Sequence, residues 1–169
     1  MDRRVLIAGG LLLATQPGIA QPKTQRDDDL QYAQSIITYG AAALDMAKLG
    51  VTNSSSEEVR IFAQDEVAEQ EGLAAVLRPL FDDTHSVPPP QVPKQDVKAW
   101  MIKLREAKGK EFDRLFVEAQ LGVHGELLQA QEAFLAKGQD KTLRAVAMLA
   151  KGHISEHTGR LARLQQSLS

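Results

Sequence analysis

Residues 59–80 read VRIFAQDEVAEQEGLAAVLRPL, and this stretch has the spacing of an amphipathic helix. Its apolar residues recur every three or four positions, which places them on one face at 3.6 residues per turn. Glu66 and Gln70 stand on that same face. The full stripe is Val59, Phe62, Ala63, Glu66, Gln70, Leu73, Leu77 and Leu80. The pattern predicts a helix whose buried face contains a carboxylate and a carboxamide.

A second apolar stripe, near the end of the chain, is interrupted in the same way. It consists of Leu143, Ala147, Ala150, Ile154, His157, Leu161 and Leu164. Burying a polar group without a partner costs about 1–3 kcal/mol, and more if the group is charged. The sequence therefore predicts that Glu66, Gln70 and His157 find partners inside the protein, which are one another, water or a metal ion.

The composition indicates a single all-α domain. The chain has 169 residues, of which 43% are hydrophobic and only 5% aromatic, and Ala, Leu, Glu and Gln are frequent. The net charge of −2 offers no basic excess for phosphates, so we expect no nucleic-acid partner. The absence of cysteine excludes disulfides, thiolate metal sites and a lipid anchor on cysteine.

The first 20 residues have the pattern of a signal peptide. Arg3 and Arg4 precede a short apolar run from Val5 to Ala14, and small residues follow up to a cleavage point near Ala20. The run is too short to span a membrane, and no later run is long enough, so we expect a periplasmic or secreted protein. The adjacent arginines leave general secretory and twin-arginine export both open. Residues 21–29 are polar and predict a flexible lead-in.

Four long amphipathic segments and one short one follow the lead-in. The long ones cover about residues 30–49, 57–81, 110–136 and 140–166, and a short helix covers about 96–107. Short turns join the first pair and the last pair, whereas a proline-rich segment joins the second and third long helices. One long crossover is typical of ferritin-like bundles. We predict a ferritin-like antiparallel four-helix bundle over residues 30–167, in which the crossover contains a short extra helix and lets the second and third long helices run parallel.

An ordered set of residues along the bundle resembles a known family. The set comprises Phe62-Ala63-Gln64, Phe112-Asp113, Phe116, His124 and Glu156-His157. It resembles an exported bacterial family, domain of unknown function 4142, whose members are often labelled predicted outer membrane proteins. The resemblance implies a ferritin-like fold and export, but no assigned activity.

Two positions depart from the family pattern. Ala43 stands where relatives usually have an acidic residue, and Gln70 stands where they usually have a histidine. His124 and His157 match the histidines of the third and fourth long helices. If these four positions form a site in relatives, two of its four ligand types are missing here. Glu66, one turn before Gln70, compensates in part.

The candidate metal ligands are Glu66, Gln70, His124 and His157, with His153 as a secondary candidate. Imidazole and carboxylate groups from separate helices suit a mononuclear divalent transition metal, although an amide oxygen is a poor ligand for such metals. The sequence contains no Glu-x-x-His motif, which disfavours a di-iron site. The alternative is a structural hydrogen bond from His157 to Glu66 or Gln70.

Other polar residues are expected at ordinary positions. His124 lies about 100° from the apolar stripe of its helix, so it is expected at a boundary and partly exposed. His153 and Glu69 are expected in solvent. Asp113 is expected to stabilise the start of its own helix.

These features favour a non-catalytic protein over an enzyme. We find no nucleophile paired with a base and no phosphate-binding loop, so no catalytic or cofactor-binding residue is assigned. We expect a binding or stress-related module with an unknown protein or small-molecule partner. The alternative is a metal-binding or metal-dependent protein with a degenerate mononuclear site, for which a divalent transition metal is the candidate cofactor.

Overall fold

The computed structural model describes residues 23–82 and 93–169, and within them the side chains of 27–81 and 93–169. The described chain forms five helices and no strand: α1 Lys23–Asn53, α2 Glu57–Asp82, α3 Gln95–Glu106, α4 Gly109–Lys137 and α5 Lys141–Ser167. The all-α prediction is confirmed. The predicted signal peptide with its cleavage point near Ala20, and the run Pro88–Pro90, lie outside the described residues.

Helix α1 begins earlier than we expected. It starts at Lys23, inside the segment 21–29 that the polar sequence predicted to be flexible. In the second turn of α1, the carboxylate of Asp28 lies 2.7 Å from Nζ of Lys137 at the end of α4. This ion pair links the first part of α1 to the neighbouring helix.

The long helices have the predicted ferritin-like topology. Helix α1 packs against both α2 and α4, and α4 packs against α5. Ser55, just before α2, meets Asp113 of α4, and eleven residues later on each helix Glu66 meets His124. Helices α2 and α4 therefore run in the same direction, as the long crossover allows.

Polar side chains at the start of α2 explain where the turn between α1 and α2 ends. Ser56 accepts a hydrogen bond from the backbone N–H of Val59 and so caps α2. Asp113 does not stabilise its own helix but accepts hydrogen bonds from the backbone N–H groups of Ser55 and Ser56. Our expectation for Asp113 was wrong because the start of α4 lies beside the start of α2, whose free N–H groups attract the carboxylate.

The hydrophobic core has two parts, which we call the closed end and the open end. The closed end is built around Phe62, Phe112 and Phe116 and includes the buried residues of α3, which lies against α1 and α4. The open end is a smaller cluster around Tyr32, Leu77, Phe81, Phe134 and Leu143.

Within the described residues, none of the helices combines the length and the apolar character that a membrane span requires.

Candidate metal centre

Three polar side chains meet where the closed end and the open end join. They are Glu66 of α2, His124 of α4 and His157 of α5, and we call them the triad. Their exposed fractions are 0%, 1% and 5%, so all three are shielded from solvent. The helical spacing explains Glu66 and His157, since both belong to the apolar stripes that turn toward the core.

The facing atoms of the triad lie close to one another. Oε2 of Glu66 is 2.9 Å from Nδ1 of His157 and 3.5 Å from Nε2 of His124. The two ring nitrogens are 3.3 Å apart. Two ligands held at about 2.0–2.1 Å from one metal ion, at angles between 90° and tetrahedral, are themselves separated by about 2.9–3.4 Å. Two of the three separations lie in this range and the third, 3.5 Å, is just above it, so the arrangement suits one shared metal ion.

Each histidine has its second ring nitrogen held by an outer partner. Nδ1 of His124 lies 2.8 Å from the carbonyl oxygen of Gln120, one turn earlier on α4. Since a carbonyl oxygen only accepts, Nδ1 is the donor in this contact, and Nε2 is the ring nitrogen that faces the triad. Nε2 of His157 lies 3.2 Å from Oε2 of Glu69. Backbone-carbonyl and carboxylate partners of this kind orient metal-bound histidines.

The carboxylate of the triad is oriented in the same way. Gln70 donates a hydrogen bond from Nε2 to Oε1 of Glu66 at 3.0 Å. The other oxygen, Oε2, is fully buried and has no hydrogen-bond partner among the described residues. The nearest nitrogens to Oε2 are Nδ1 of His157 at 2.9 Å and Nε2 of His124 at 3.5 Å. An unsatisfied buried carboxylate oxygen facing two ring nitrogens fits a site for a cation.

The triad is strongly coupled electrostatically. Burial alone would raise the pKa of Glu66, but the imidazoles of His124 and His157 outweigh burial and hold that pKa below its usual value. Burial alone would lower the pKa of His157, but the carboxylates of Glu66 and Glu69 outweigh burial and raise that pKa to about 10. Without a metal ion, a proton on His157 therefore compensates the buried negative charge.

The structure assigns different positions to the five candidate ligands. It brings Glu66, His124 and His157 together. Gln70 contacts Glu66 through its amide N–H rather than contributing an oxygen to the triad. His153 is exposed, as expected, and its Nδ1 lies 3.1 Å from Oε1 of Glu69.

Two exposure predictions were wrong. His124 is buried rather than at a boundary, because Phe62 and Glu66 of α2 and His157 of α5 pack against its ring. Glu69 is only half-exposed and contacts both His153 and His157, and its pKa is lowered chiefly by His157. Its position three residues after Glu66, on the same helical face, is the signal that could have identified it.

The fold and the triad together define a ferritin-like helical bundle with a buried Glu–His–His cluster. The chain matches the family described as Domain of unknown function (DUF4142) over residues 14–164 and belongs to that family. No curated protein gives a significant match. A solved structure, CopM in the Cu(II)-bound form, is similar with a TM-score of 0.73 and 14% sequence identity. The similarity covers 83% of this chain and 97% of that chain, and at this identity it establishes a shared fold.

Proposed function

We propose that this protein is an exported, non-catalytic metal-binding protein that holds one Cu(II) ion at the triad. The observation that carries this proposal is the buried, unsatisfied Oε2 of Glu66, which faces one nitrogen of each histidine at 2.9–3.5 Å. Arg3 and Arg4, followed by the apolar run from Val5 to Ala14, support export from the cytoplasm.

The chemistry of the donor atoms supports Cu(II) among the divalent metals. Two imidazole nitrogens and one carboxylate oxygen suit Cu(II), Zn(II), Ni(II) and Fe(II), and Cu(II) forms the strongest complexes in this series. The triad contains no thiolate or thioether, which are the ligands that favour Cu(I). The copper-bound form of the structural neighbour CopM makes copper the first metal to test.

The residues around the triad support binding rather than turnover. Gln120, Glu69 and Gln70 each hold one ligand in place, so the three donor atoms are oriented before a metal arrives. If copper were absent in the cell, the same contacts would serve as a structural hydrogen-bonded cluster, which is the alternative function.

Metal content separates the two functions. The untagged protein is incubated with excess CuCl2, desalted and analysed for bound copper. We expect about one equivalent per chain in the wild type and a large loss of copper in Glu66→Gln, His124→Leu and His157→Leu. His153→Leu is the matched control, because it removes an exposed histidine one turn from His157, and it should keep the full equivalent. Circular dichroism shows whether each variant is folded.

Two results would contradict the proposal. One is less than a tenth of an equivalent in the folded wild type. The other is copper that survives all three triad substitutions but disappears in His153→Leu, since that would place the metal on the surface.

A further inference from the structure

A cavity of about 380 Å³ lies between α2 and α5 at the open end. Its volume is within the range of pockets that bind small molecules. Most of its wall is apolar and comes from Leu73, Leu77, Leu127, Val146 and Ile154. At one end the rings of His124 and His157 line the cavity beside Glu69, and farther along α4 the hydrogen-bonded pair Tyr32 and Gln131 lines it as well. The cavity thus joins an apolar chamber to the triad.

The mouth of the cavity is apolar as well. Val76 of α2 and Leu149 of α5 line it, and their exposed fractions are 53% and 69%. Large exposed aliphatic side chains beside a cavity mark a binding surface rather than an ordinary helix face. The lining residues on α5 extend from Val146 to Ile154, which is about 12 Å at 1.5 Å per residue, and most of them are apolar. This shape suits an elongated aliphatic chain.

The charges around the cavity determine which head group it accepts. No Lys or Arg is among its lining residues in the described part of the chain, whereas Glu69 contributes a carboxylate and Glu66 lies directly behind the two histidines. An anionic head group would therefore be repelled from the metal-free protein. A Cu(II) ion at the triad offsets the charge of the two carboxylates and so removes this repulsion. Three protein ligands also leave a coordination position for an external group.

We propose that this cavity binds an apolar molecule with one anionic, metal-ligating head group, such as a medium-chain carboxylate, whose head group binds the copper ion. The inference rests on the proposed function, since the head group requires a metal at the triad. The aliphatic chain lies between α2 and α5, and the rings of His124 and His157 flank the head group.

Calorimetric titration with three probes tests the inference on the full protein. Decanoate has the chain and the head group, decanol has the chain with a neutral head group, and acetate has the head group without the chain. We expect decanoate to bind the copper-loaded protein about tenfold or more tightly than the metal-free protein. Decanol should bind both forms alike, and acetate should bind weakly. By linkage, saturating decanoate should raise the Cu(II) affinity by the same factor.

A cavity-filling variant locates the site. Ala150→Phe places a ring in the cavity without touching the triad, and Ala145→Phe adds the same ring at an exposed position on α5 that does not line the cavity. We expect Ala150→Phe to lose decanoate binding but keep its copper, and Ala145→Phe to keep both. If Ala150→Phe fails to fold, the inference is tested by the wild type alone, through the binding of the three probes to its copper-loaded and metal-free forms.

The outcomes distinguish the two proposals. If copper binds but decanoate binds no better to the loaded protein, or binds equally well after Ala150→Phe, the inference is overturned and the proposed function stands. If no copper binds at the triad, both are overturned, and the copper analysis alone reports it.

Discussion

The closed end and the open end of the bundle are built from the same helices but packed in different ways. At the closed end Phe62, Phe112 and Phe116 are completely buried, and α3 adds Val97 and Leu104 to the same cluster. The open-end cluster contains no residue of α3, and two cavities of about 380 and 370 Å³ lie on either side of α2. The closed end supplies a rigid support, whereas the open end keeps free volume beside the triad.

The position of the triad at the junction follows from this difference. Phe62 packs edge-on against the ring of His157 with centroids 5.4 Å apart, so the closed end fixes that imidazole from one side. On the other side the same ring lines the open cavity. A metal site that admits a small ligand needs packed neighbours that hold its side chains and an opening to the ligand. His157 has both.

The largest expected effect of a substitution is on packing at the closed end. Leu161→Ala removes a fully buried side chain of α5 and should lower the free energy of unfolding by about 3–5 kcal/mol. Leu73→Ala at the open end should lower it by only about 1 kcal/mol, because Leu73 is half-buried and already borders both cavities. Urea unfolding of the two metal-free variants measures the difference. Equal losses would show that the two ends are packed alike.

Copper should have the next largest effect. At free Cu(II) one hundredfold above its Kd, the wild type should gain about 2.7 kcal/mol in the free energy of unfolding. Glu66→Gln should gain nothing, because the carboxylate that joins the two histidines is gone. A chelator should return the wild type to its metal-free stability. Equal gains in the wild type and Glu66→Gln would mean that copper acts away from the triad.

The metal-free protein should lose stability as the pH rises. The pKa of His157 is raised from 6.5 to about 10, so its ion pairs with Glu66 and Glu69 stabilise the folded state fully below about pH 6.5. This contribution is lost as the pH rises through about 10. The lowered pKa of Glu66 acts at the acid side, where its contribution is lost as the pH falls below its usual value.

A comparison with His157→Gln isolates this contribution from other titrating groups. Urea midpoints measured at pH 6, 8 and 10 should fall more steeply in the wild type than in the variant. Parallel curves for the two proteins would contradict the ion pairs at the triad.

The smallest effect concerns the attachment of α3 at the closed end. A Cβ at Gly122 would lie 1.9 Å from the ring of Trp100, so Gly122→Ala should displace that ring and shift its fluorescence to longer wavelength. Gly125→Ala is the matched control, because nothing lies within 4 Å of its added Cβ. It should stabilise the protein by about 0.5–1 kcal/mol, since alanine favours helix. The chain has one tryptophan, so the signal is unambiguous. An unchanged spectrum in Gly122→Ala would contradict this docking of α3.

The sequence predicted the fold and part of the triad because both depend on local periodicity. Glu66 and His157 interrupt apolar stripes. The apolar stripe of a helix faces the core regardless of which helix packs against it, so burial of these two residues follows from the sequence of each helix alone. The burial of His124 could not be predicted in this way, because it depends on side chains of α2 and α5 that pack against a ring outside the apolar stripe of α4. Asp113 caps a helix distant in sequence, and a pattern within one helix does not reveal such a partner. The cavity depends on the distance between neighbouring helices, and the hydrophobic pattern of the sequence does not specify that distance.

The most direct test is anomalous diffraction at the copper edge from a crystal of the copper-loaded protein. The account predicts one strong peak bonded to Oε2 of Glu66, Nε2 of His124 and Nδ1 of His157. A peak at His153 or elsewhere on the surface, with the triad unchanged and empty, would contradict it.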